Sequence, residues 1–267
     1  MVTAVKDFLK VYWPFVLVAV LGVIVTLMLM DPAPPKHIRF AAGAQGGAYY
    51  AFAERYQNLL AEQGIEVELI QTAGSVENLR LLDEGQADVA LVQGGLAKPG
   101  DAATLRSLGG LFHEPFWVFV RDESGASEFG DLRSKRFAIG PLGSGTRILG
   151  IELQDEFDGA WPEAARNTLS GTAAADALIA GQIDAAGFAA SPDAPYVQTL
   201  LRAPGISLLP FERAEALSRR QPALAAVTLL RGVFDIGADI PKRDVPLVAP
   251  VAQLVVRKSL HPAIEAL

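Results

Sequence analysis

The chain says the same thing twice, and this repeat constrains its fold more than any other feature. RFAAGAQGG at 39–47 recurs as RFAIGPLGS at 136–144, and GQADVA at 85–90 recurs as GQIDAA at 181–186. Between these anchors AGS at 73–75 matches SGT at 170–172. Gly43 and Gly140 lie 97 positions apart, Gly74 and Gly171 also 97, and Asp88 and Asp184 96. Each unit reads as strand, glycine loop, helix, strand, glycine and hydroxyl turn, helix, and a short strand after a Gly-Gln turn. Such alternation predicts an α/β fold whose lobes each hold a mainly parallel sheet flanked by helices. A repeat of this length is too long for a solenoid unit, so it predicts two similar lobes with a cleft between them.

The 267 residues suffice for two lobes with real cores. A net charge of -7 with no basic cluster excludes a nucleic-acid binder, because neutralising phosphates needs a cationic face. The absence of cysteine excludes disulfides, thiolate catalysis and cysteine metal sites. Residues 11–30 carry no charge, and a hydrocarbon core of about 30 Å takes roughly 20 such residues, so this stretch is expected to span a lipid bilayer. Lys6 and Lys10 before it, and Tyr12 and Trp13 at its start, predict a cytoplasmic N-terminus and an exported remainder. A cleaved signal peptide is the rival, with an apolar core usually nearer 7–15 residues. Residues 1–36 are thus expected to be anchor and linker, 37–121 the first lobe completed by 244–267, and 122–243 the second lobe. A last short helix is expected to open at Ser259.

Glycine-bearing strand-to-helix turns place helix N-termini at the carboxyl edges of the two sheets, where open α/β sheets take their ligands. The unpaired N–H groups there favour an anion. The turns concerned hold Gly46 and Gly47, Gly74 and Ser75, Ser144 to Thr146, and Gly171 and Thr172. Arg147 is positioned in sequence to add a bidentate carboxylate contact, and Tyr49 and Tyr50 to wall the solute. Each has a plainer competing role. Ser75, Ser144 and Thr172 are the residue types that cap helices, Tyr50 suits a core, and Arg147 suits a solvated helix face. Asp88 and Asp184 each follow a Gly-Gln turn, where turn hydrogen bonding accounts for an acid. GPLGSGT at 140–146 approaches a phosphate loop but has Gly145 where the lysine would stand. With no GxSxG and three scattered histidines, the chain is read as a non-enzyme without cofactor.

GAQGGAYYAFAE, TAGSVENLRLLDEGQADVALVQ, GDLRSKRFAIGPLGSGT and ADALIAGQIDAAGF, in this order and spacing, closely resemble the TAXI family, the solute-binding subunits of TRAP transporters. The resemblance runs from about Ile38 to Arg257. It implies the two-lobed type II periplasmic binding protein fold, a small carboxylate such as glutamate or 2-oxoglutarate in the cleft, and delivery to TRAP permease membrane subunits from the periplasmic side of the bacterial inner membrane. Carried over, it assigns Gly46, Gly47, Tyr49, Tyr50, Gly74 through Asn78, and Gln93 to the first lobe's wall. Ser144, Gly145 and Thr146 fall on the second. The family often has alanine and aspartate after the glutamine, whereas Gly94 and Gly95 stand here, so an anion without an amine is expected. A membrane-tethered ligand sensor or adaptor on the same fold is the alternative to transport.

Overall fold

Each repeat unit builds its own sheet. The computed structural model describes residues 2–29, 34–45, 47–97, 100–157 and 161–266. After helix α1 (Val2–Leu29) come β1 (His37–Gly43), α2 (Ala48–Glu62), β2 (Glu66–Gln71), α3 (Ser75–Asp83) and β3 (Val89–Gln93). Two strands follow, β4 (Leu105–His113) and β5 (Phe116–Arg121). The second unit runs β6 (Phe137–Ala138), α4 (Gly145–Glu156), β7 (Arg166–Asn167), α5 (Gly171–Ile179) and β8 (Ala185–Ala189). The remainder is α6 (Pro195–Arg202), β9 (Ile206–Leu208), α7 (Ala214–Arg220), β10 (Leu224–Leu229), β11 (Val245–Arg257) and α8 (Pro262–Glu265).

The first sheet has the order β10-β11-β3-β1-β2, with β4 also pairing to β11, and the second has β7-β6-β8-β5-β9. In both, the repeat strands pair in parallel, β2-β1-β3 and β7-β6-β8. A fourth strand then joins antiparallel, β11 beside β3 and β5 beside β8. The alternating pleat divides the first lobe's core into two faces. Ile38, Phe40, Val89 and Leu91 pack with α2, while Ala41, Ala90 and Val92 pack with Leu81 and Leu82 of α3. The second lobe's core is more aromatic, with Phe116, Trp117, Phe119, Phe129 and Phe137 all buried.

The crossings between lobes fall elsewhere than expected. Strand β5, assigned in sequence to the first lobe, buries Phe116 to Val120 in the second lobe's core and pairs with β8. An unbroken apolar strand covered on both faces belongs in a sheet interior, so the first crossing is at Glu114 and Pro115 rather than after residue 121. The return lies inside β11, not at residue 244. Val245, Leu247 and Val248 pack in the second lobe, and Val255 and Val256 in the first. The backbone N–H of Glu114 donates to Pro250 O at 2.9 Å, tying the two crossings together.

The repeat extends to the side chains at the base of each lobe. Arg39 donates from its backbone N–H and guanidinium to Asp88 at 2.9, 3.1 and 2.9 Å. Arg136 does the same to Asp184 at 2.9, 3.1 and 2.7 Å. Beneath the Gly-Gln turns a second pair of arginines lies flat, so that a Cβ on Gly85 would stand 2.9 Å from Arg257 and one on Gly181 2.8 Å from Arg121. Asp88 and Asp184 are therefore strand clasps rather than turn acids. At the chain's far end, α8 is capped by His261, whose ring accepts from Ala263 N–H at 3.2 Å, rather than by Ser259.

Helix α1 presents apolar side chains such as Phe15, Val18 and Val23 to solvent. Among the described residues no helix is long and apolar enough to cross a membrane, so the structure does not show the span expected over residues 11–30.

Candidate functional site

The carboxyl ends of β1 and β3, the starts of α2, α3 and α4, and the crossing at Glu114 meet in one polar cluster. On the first lobe, Ser75 opens α3 but does not cap it. Gly74 is the N-cap residue, and the buried Ser75 hydroxyl instead accepts from Gln93 N–H at 2.9 Å and reaches the Tyr49 hydroxyl at 3.4 Å. Asn78, fully buried, is a brace behind this wall. Its amide donates to Leu91 O at 2.7 Å and its oxygen accepts from the Thr72 hydroxyl at 2.5 Å.

Gln93 reaches across the cleft. Its Nε2 lies 3.5 Å from Gly145 O at the first turn of α4, and a Cβ on Gly145 would stand 2.5 Å from Gln93 Oε1. A Cβ there would force the Gln93 side chain to shift, so glycine leaves room for this contact between the two lobes. Ser144 caps α4 by accepting from Arg147 N–H at 3.2 Å, as its residue type suggests, and Thr146 accepts from Ala189 N–H at 3.2 Å.

The sequence reading missed the most unusual group. Glu114 is 5% exposed, and Tyr49 donates to its Oε2 at 2.6 Å. Burial pushes the Glu114 carboxyl up to about 7, against the smaller opposing pull of the Tyr49 hydrogen bond. Burial, and then the Glu114 charge, hold the Tyr49 phenol well above its usual range. Tyr196 of α6 is raised for the same two reasons, and its ring lies beside Gly171 at the start of α5. An acid set between two apolar runs and followed by proline, LFHEPFW, was the available signal for Glu114. Nothing local marked Tyr196.

Other expected contacts are not brought to the cluster. Arg147 is buried with its guanidinium turned into the second lobe, where it donates to Gly140 O at 3.2 Å and Glu163 at 2.6 Å. It is neither the solvated residue nor the cleft cation that sequence offered. Tyr50 packs against the first lobe's core, and Thr172 is exposed in the first turn of α5, which follows Ser170 as N-cap residue. Gly47 precedes α2 with its N–H already bonded to Ala44 O at 3.0 Å, and Gly46 lies outside the described residues.

A family model for NMT1-like proteins matches residues 40–263, which takes in both lobes and both crossings. The chain belongs to the NMT1-like family. Solved structures share the fold of this NMT1-like chain at low identity. A histidine kinase sensor domain with similarity to periplasmic binding proteins is 14% identical, with a TM-score of 0.54 over 88% of each chain. An ancestral arginine-binding protein bound to arginine is 13% identical, with a TM-score of 0.53 over 86% of this chain and 88% of that one. The alkanesulfonate-binding protein SsuA of Xanthomonas axonopodis pv. citri, bound to MOPS, is 22% identical with a TM-score of 0.49. The match covers 67% of the NMT1-like chain and 61% of SsuA, about three fifths of the latter's length. The two closer superpositions establish an α/β, two-sheet architecture like that of periplasmic binding proteins.

Proposed function

We propose that the chain is an extracytoplasmic receptor that closes its two lobes on a small solute and presents it to a membrane partner. The observation that carries this is the meeting of Gln93 and Gly145 across the cleft, at a point ringed by Ser75, Tyr49 and Glu114. Two crossings tied at Glu114 and Pro250 make a hinge of the kind that lets lobes move as units. The resemblance to TAXI proteins supports a TRAP permease as that partner and a small carboxylate as the solute. The starts of α3 and α4, facing each other across the contact, supply N–H groups suited to its anionic end. The uncharged run at 11–30 and the apolar side chains of α1 that stand in solvent support a bilayer tether with the lobes on the periplasmic side.

The shared fold of a histidine kinase sensor domain supports a second reading, a tethered ligand sensor or adaptor without transport.

A melting screen of residues 34–267 against dicarboxylates, keto acids, amino acids and neutral sugars tests the receptor reading. A solute at a hundredfold excess over Kd stabilises by about 2.7 kcal/mol. A melt unmoved by every solute would count against a receptor. Co-purification with TRAP membrane subunits separates transport from sensing.

A further inference from the structure

We propose that Glu114 selects the solute by taking a protonated nitrogen of the ligand as its partner, so that the cleft favours amine-bearing solutes over their deaminated counterparts. This rests on the receptor reading above and runs against the amine-free anion expected from Gly94 and Gly95.

The direction of the hydrogen bonds carries the inference. The Gln93 backbone N–H can only donate, and it donates to Ser75 Oγ at 2.9 Å. The Ser75 hydroxyl then points on to the Tyr49 oxygen at 3.4 Å, and the Tyr49 hydroxyl donates to Glu114 Oε2 at 2.6 Å. Every proton in this chain is aimed towards Glu114, which stands at its end as an acceptor. Among the described residues no lysine or arginine pairs with it. Arg147, the cation expected in the cleft, is taken by Glu163, and Arg121 and Arg106, close to Glu114 in sequence, are taken by Glu123 and Glu265, while Arg39 and Arg136 are taken by Asp88 and Asp184. A carboxylate withdrawn from water and left without a counter-charge is unfavourable, and a ligand cation would relieve it.

The linkage to pH has a definite sign. Burial holds Glu114 near 7 in the unliganded cleft. Binding a cation therefore expels a proton at pH 6 and expels almost none at pH 8, so affinity for an amine rises with pH across this window. The titratable groups coupled to Glu114 are Tyr49 of α2 and Tyr196 of α6, both pushed upward and so protonated throughout. His113, its chain neighbour, is exposed. A role as neutral acid donating to an anion would give the opposite pH dependence.

The test is titration calorimetry on matched probes that differ at one nitrogen: glutamate with 2-oxoglutarate, alanine with pyruvate, and putrescine with 1,4-butanediol. The expected result is that the amine of the pair that binds does so at least tenfold more tightly. It should gain affinity between pH 6 and pH 8 and release a proton at pH 6, seen as a buffer-dependent heat. In Glu114→Gln the preference should fall at least tenfold. An oxo acid or diol bound as tightly as its amine, or a preference that survives Glu114→Gln, overturns the inference while leaving the receptor reading intact. Binding by no member of any pair overturns the inference, and the wider melting screen then decides the receptor reading separately. Should Glu114→Gln fail to fold by circular dichroism, the wild-type pH dependence decides, because a fall in amine affinity from pH 6 to pH 8 is incompatible with the inference.

Discussion

Gln93 and Gly145 touch across the cleft where a side chain on α4 would displace the contact, since a Cβ there would lie 2.5 Å from Gln93 Oε1. Gly145→Val is therefore expected to hold the lobes apart. Valine at the first turn of a helix costs little by itself, so each lobe should keep its fold. Small-angle scattering should report a larger radius of gyration, and solute affinity should fall at least tenfold, about 1.4 kcal/mol. Unchanged scattering and affinity would mean that closure does not pass through this contact.

Stability should fall as pH rises through the acid range because of Glu114. The folded cleft holds its carboxyl near 7, whereas the ordinary value is 4.5. Between these limits the unfolded chain gives up the proton and the folded chain keeps it. The loss is absent below pH 4.5 and complete above 7, where it amounts to roughly 3 kcal/mol. Opening of the cleft rehydrates the acid and caps the loss. Urea unfolding of Glu114→Gln and wild type at pH 5 and pH 8 should show the variant gaining relative stability at the higher pH. Parallel behaviour would indicate that the acid is hydrated in the resting protein.

Arg147→Ala is expected to weaken the second lobe without touching the solute. It strips the Gly140 carbonyl and Glu163 of donors held at 3.2 and 2.6 Å, a loss of about 1–3 kcal/mol. The melting temperature should drop while solute Kd stays within about threefold. A Kd that rose with no change in melting would place the guanidinium in the binding site after all.

The two clasps should fail together in acid. Asp184 is held below the usual carboxylate range by its hydrogen bonds from Arg136, which outweigh its partial burial. For Asp88 burial pulls upward, and the Arg39 hydrogen bonds and charge overcome it. Both groups thus contribute stability above pH 4 that is lost as pH falls through their lowered values. Asp88→Asn with Asp184→Asn should flatten the acid limb of a melting curve between pH 5 and pH 2. A double variant with the wild-type acid slope would assign that limb to other carboxylates.

What the sequence by itself determined is local and repeated. The 97-residue spacing of Gly43 and Gly140, and of Gly74 and Gly171, prescribes two α/β units in one order. Helical spacing placed α2, and the Gly-Gln turns placed β3 and β8. These features depend on backbone geometry and on periodicity within about twenty residues, which a single chain displays openly. Even the fourth strands left a trace, since VFVR at 118–121 and LVVR at 254–257 end alike. The lobe to which β5 belongs was decided only by its pairing with β8.

The chemistry of the cleft was settled at longer range. Tyr49 and Glu114 stand 65 positions apart, and nothing near either announces the other. Arg147 sits where a ligand-binding arginine would be expected, yet packing turned it inward to Glu163. Whether a charged side chain faces solvent, a ligand or a buried partner depends on which distant groups the fold brings within a few ångströms. Desolvation and Coulomb energies change steeply over that distance. The tertiary structure, not the motif, therefore decided that an acid rather than an arginine stands at the junction of the two lobes.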